Sequence, residues 1–173
     1  MYRATDVSPK GIAMASQSSL EAQWISRTKN TRYELIDLPE ILRAFTGAPF
    51  QSLNCVPRAR FNKSEADAWI EETHNYFGSK GVPMIWWISP FSNPSDLGER
   101  LVAHGAERLP EELPAMAMDL QHLNDKVSTP TELTIEQVTD DEGLRRFVSA
   151  FVSDTVSPEN MREAFYHINA DAG

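Results

Sequence analysis

A single cysteine, Cys55, stands in 173 residues, so the chain closes no internal disulfide and nothing in it asks for an oxidising compartment. Only Arg58 and Arg60 lie near enough to lower its pKa, so the thiol reads as a small buried apolar residue on a strand. Positive charge is scarce too. Lys and Arg total 16 against 25 Asp and Glu, the formal charge is −9, and no basic run interleaves with aromatics. Nucleic acid and anionic membrane surfaces attract clustered Lys and Arg, so both are excluded as partners. No stretch approaches the roughly 20 apolar residues of a membrane span. Gly11-Ile12-Ala13-Met14-Ala15 is too short for a signal-peptide core and follows no basic run. The cytoplasm is therefore the expected location.

What is present suffices for a packed core: 41% of residues are hydrophobic and 24% charged. Residues 1–32 read as an arm, with 1–19 aperiodic and a short helix expected over Leu20–Asn30. Residues 33–123 read as the main domain. Tyr33–Leu38 alternates weakly, and two clearer strands follow, Ile41–Thr46 and Phe50–Arg60, joined through Gly47-Ala48-Pro49. Pro57 implies that the second strand is at an edge or bulges there. Ser64 with Asp67 forms a capping-box pattern at the head of a helix. Ala66, Trp69, Ile70, Thr73 and Phe77 line its apolar face, and Gly78 or Gly81 ends it. Val82–Ser89 is apolar on both faces, which predicts a central strand covered on both sides. Asn93-Pro94 then caps a helix that runs to Gly105.

Further strands are expected at Ala106–Leu109 and Ala115–Leu120, followed by a linker at 124–131. Residues 132–173 restart the pattern. Leu133–Val138 reads as a strand, and helices are expected over 142–154 and 158–169, with Phe147, Phe151 and Phe165 on their apolar stripes. Such stripes also offer a route to self-association.

No chemical motif is complete. The chain has no Gly-x-Ser-x-Gly elbow, no Walker loop and no Gly-x-Gly-x-x-Gly run. Glu71 and His74 have the i, i+3 spacing of carboxylate-bridged metal sites, but those need a second such pair and two more Glu, and none is evident. His104 precedes a helix-ending glycine, where it serves the helix dipole. Asp140-Asp141-Glu142 likewise sits at a helix start. Trp86 and Trp87 face opposite sides of one strand, either both in the core or one in a pocket wall.

Three passages occur in a recognisable order. Phe50-Gln51-Ser52-Leu53-Asn54-Cys55-Val56 leads into the Ser64 helix. Gly81-Val82-Pro83-Met84-Ile85-Trp86-Trp87-Ile88-Ser89-Pro90 is followed by Pro94-Ser95-Asp96-Leu97-Gly98 and by Leu101-Val102-Ala103-His104-Gly105-Ala106. Pro114-Ala115-Met116-Ala117-Met118-Asp119-Leu120 then precedes the linker. Over about Leu42 to Asp154 this set resembles the N-terminal region of two-part bacterial acetyltransferases of the GNAT superfamily, in which a degenerate half precedes the catalytic one.

The resemblance implies an α/β fold of the α+β type: a mixed, mostly antiparallel central sheet with helices on both faces. It implies acetyl transfer from acetyl-CoA to a small-molecule or peptide amine in the complete protein. The donor's pyrophosphate would lie on a helix N-terminus behind Arg or Gln, x, x, Gly, x, Gly or Ala. No Arg or Gln here has Gly three residues later, so no catalytic, metal or cofactor-binding residue is assigned to this chain. Residues 132–173 resemble the opening of the catalytic half, and the chain is expected to stop before the donor-binding part. Asn54, Trp86 and Trp87 are the candidates for shaping the acceptor side. The alternative is a non-catalytic binding or interaction module derived from that family.

Overall fold

A computed structural model of the chain describes residues 6, 8–26, 33–110, 113, 114, 116, 126, 128, 130–152 and 159–170. The chain divides into two compact units, Met1–Asp119 and Leu120–Gly173.

The first unit is an α+β structure built on a four-stranded sheet of order β1-β2-β3-β4. Its elements are α1 (Pro9–Ser26), β1 (Glu34–Asp37), β2 (Ile41–Phe45), a 3₁₀ turn (Gln51–Leu53), β3 (Cys55–Ala59), α2 (Ala66–Lys80), β4 (Ile85–Trp86) and α3 (Leu97–Ala103). β1, β2 and β3 form an antiparallel meander, and α2 then carries the chain across to β4, which pairs in parallel with β3 through Cys55↔Ile85 and Val56↔Trp86.

Between β2 and β3 the register runs Leu42↔Arg58 and then Ala44↔Cys55, so Val56 and Pro57 together oppose Arg43. This is a bulge on β3, the second of the two settings that Pro57 implied. It resets the strand's parity. Val56 and Ala59 both reach the core under α2, while Cys55 packs on the other face and Arg58 reaches Glu21 of α1.

The two faces hold separate apolar clusters. Ile41, Val56, Ala59 and Phe61 meet Ala66, Ile70 and Phe77 of α2 and Leu97 and Leu101 of α3. Burying each of these larger side chains contributes about 1.5–3 kcal/mol. Leu42, Ala44 and Cys55 on the opposite face meet Trp24, with Leu20 and Ile25 of α1 alongside. Helices thus cover both faces.

Both α2 and α3 end in Schellman turns. Gly81 (φ 66°) and Gly105 (φ 91°) supply the left-handed residue. Val82 N donates to the Phe77 carbonyl, and Ala106 N to the Leu101 carbonyl.

Several expectations are corrected. The helix expected at Leu20–Asn30 is α1, which starts at Pro9 and takes in most of the supposed loose arm. The capping box at Ser64 does not form: α2 begins at Ala66 without a side-chain cap, because Asp67 turns instead to Arg100. Asn93 caps no helix either. Its backbone bonds with Ala59 and Phe61 extend the β3 edge, and α3 starts three residues beyond Pro94, at Leu97. Val82–Ser89 shortens to β4, at one end of the sheet rather than its centre. Ala106–Leu109 forms no strand. Of the strand expected at Ala115–Leu120, only Met116 is among the described residues.

The second unit contains α4 (Asp141–Phe151) and α5 (Glu159–Ala170). Asp140 caps α4, its Oδ1 accepting from Gly143 N at 2.7 Å. Phe151 stacks beside Phe147 at 6.0 Å and meets Phe165 at 5.3 Å. Leu133–Val138 is not a strand. Its apolar residues are exposed, since the described residues offer no neighbouring strand to pair with it.

Candidate functional site

Asn54, Trp86 and Trp87 come together at the junction of β3 and β4. Ile85 N donates to the Asn54 carbonyl and Trp87 N to the Val56 carbonyl, both at 3.0 Å. The alternation expected of the tryptophans is present. Trp86 packs on the α2 side, edge-on to Phe61 at 6.3 Å, and Trp87 lies on the α1 side beside Ile85. Both indoles are half-buried, and among the described residues neither buried Nε1–H has a hydrogen-bond partner.

Asn54 is wholly buried, and its amide is engaged inside the chain. Its Oδ1 accepts from Thr46 N at 3.1 Å, and its Nδ2 donates to the carbonyls of Ala48 (2.7 Å), Phe50 (3.0 Å) and Pro83 (3.1 Å). One side chain therefore ties the β2–β3 connection to the approach to β4. That geometry leaves no free amide hydrogen directed at a ligand. The positional signal for this role was an Asn closing a turn just before a strand.

Where α3 packs on α2, the two helices share an ionic cluster that sequence reasoning missed. Asp67 accepts from Arg100 at 2.7 Å and lies 3.4 Å from His104, and Arg100 lies 3.2 Å from Asp96. The hydrogen bond from Arg100 holds the Asp67 carboxyl below its usual range. His74 packs edge-on to Trp86 at 6.5 Å. Burial pushes its pKa down, and the charge of His104 adds to that. Asp96 and Arg100 have the i, i+4 spacing of a helix pair, but Asp67 is distant in sequence, and only the packing of α3 on α2 brings it to them.

Cys55 is fully buried, and among the described residues no group of three or more His, Cys, Asp or Glu could hold a metal ion. The loop from β3 into α2 runs Arg60-Phe61-Asn62-Lys63-Ser64-Glu65 without glycine, and Asn62 Nδ2 donates to the Glu65 carboxylate at 2.8 Å. A carboxylate there opposes an anion at the helix start. The space bounded by Trp24, Leu35, Ala44 and Phe45 measures only about 10 Å³. In the second unit an open groove of about 420 Å³ separates α4 from α5, lined by Arg145, Val148, Ser149, Arg162, Tyr166 and His167. Its Arg145 is already paired with Asp141 at 2.9 Å and lies over the Tyr166 ring at 4.2 Å.

Compared with known proteins, the chain matches no family model, no curated protein and no solved structure. Among the described residues no helix is long and apolar enough to cross a membrane.

Proposed function

We propose that the first unit is the degenerate, non-transferring half of a GNAT-type N-acetyltransferase of the cytoplasm. The complete protein would move an acetyl group from acetyl-CoA to a small-molecule or peptide amine. This half would serve as a scaffold on the acceptor side, with the β3–β4 junction at Trp86 and Trp87, braced from within by Asn54, as its nearest candidate surface.

One observation carries the reading: antiparallel β2 and β3 pass through α2 into parallel β4 and on to α3. Those are the first five elements of the strand, strand, helix, strand, helix, strand, strand order in which the three passages of the resemblance lie; the sixth, Ala106–Leu109, is not a strand. The non-transferring part rests on the loop before α2, where the strand feeds the helix. Residues 60–65 include no glycine, and Asn62 bonds the Glu65 carboxylate, which opposes an anion at that helix start.

Two measurements separate these parts. Isothermal titration of acetyl-CoA into this chain should show no binding in the low micromolar range, and a low micromolar Kd overturns the non-transferring role. The gene downstream of codon 173 should encode Arg or Gln, x, x, Gly, x, Gly or Ala, and the extended protein should release CoA thiol in the presence of an amine. A continuation lacking that motif and that activity overturns the family reading.

A further inference from the structure

We draw no further inference here: the strongest candidate, the outer edge of β4 beside Trp86 at the end of the four-stranded sheet, belongs to an uncharged apolar stretch, Val82–Ser89, but nothing in the structure shows what covers it.

Discussion

Gln17 of α1 donates its Nε2–H to the backbone carbonyl of Pro57, 2.8 Å away at the centre of the β3 bulge. The same nitrogen donates to Glu21 at 2.8 Å, and Glu21 in turn binds Arg58 at 2.7 Å. A bulge exposes a carbonyl that the ladder no longer serves, and α1 supplies its donor. Gln17→Leu should therefore destabilise the chain by about 1–3 kcal/mol, the usual penalty for an orphaned buried carbonyl. The check is a urea midpoint. An unchanged midpoint would mean that α1 contributes little to holding the sheet.

Asn54 offers a sharper pair of variants. Asn54→Ala removes every bond of the amide and should lower stability by about 3 kcal/mol. Asn54→Asp keeps the shape but turns a carboxylate oxygen toward the carbonyls of Ala48, Phe50 and Pro83. At pH 7 it should be the worse of the two, and it should recover on acidification as the new carboxyl gains a proton to donate. Thermal melts at pH 7 and pH 5 distinguish the outcomes. An Asp variant as stable as wild type would place position 54 near solvent.

His74 gives the first unit a pH dependence of definite sign. Burial, helped by His104, lowers its pKa in the folded state. The unfolded chain therefore takes up this proton first, near the ordinary value of about 6.5. The contribution to stability is intact above that pH, declines as pH falls through it, and levels off once the folded group is also protonated. Asp67 and Glu34 are held below their usual range by hydrogen bonds from Arg100 and Lys80, so their losses come at lower pH. Melting temperatures between pH 7.5 and 5.5 should fall less steeply for His74→Gln than for wild type. Parallel profiles would remove His74 as the cause.

The helix pair α4 and α5 should exchange its amides faster than α2. Val148 and Val152 are buried in the second unit, while Phe147 is 48% and Phe151 64% exposed. Two helices whose described residues share so small an apolar contact have little to oppose local opening. Hydrogen exchange by mass spectrometry should show peptides covering 144–150 labelled at least about tenfold faster than those covering 70–77. Equal protection in a demonstrated monomer would show that α4 has a fuller core than its exposed phenylalanines imply.

Legibility in the sequence followed how local each cause was. The α2 stripe was readable because Ala66, Ile70, Thr73 and Phe77 repeat with the helix and a glycine ends it, and all four are buried. The opposed faces of Trp86 and Trp87 followed from strand alternation alone. The first half of α1, before Leu20, escaped because its buried positions are Gly11 and Gln17, which mark no apolar period. A local signal did exist. Ser8 accepts from Gly11 N at 3.1 Å and Pro9 occupies the first helical position, a start pattern readable from Ser-Pro. Asp67 misled in the opposite direction, since a cap pattern is local and its Arg100 partner on α3 is not. Asn54, named as a candidate contact for the acceptor, bonds within its own β2–β3 connection and to Pro83, and only the fold brings Pro83 to it.

The parallel pairing of β3 with β4 also sets an order of assembly. β1 and β2 are joined by a turn in which Leu38 and Ile41 exchange backbone bonds, so that pair can close on the microsecond scale of hairpins. Cys55 meets Ile85 only after the chain between them has been drawn across the sheet, and loop-closure entropy must be met before that pair returns anything. Coiling the 15 residues of α2 shortens the path to about 22 Å and presents Ile70 and Phe77 to the meander on the way. Helix docking therefore comes before strand addition. β4 is the strand expected to join last and, in unfolding, the first expected to leave.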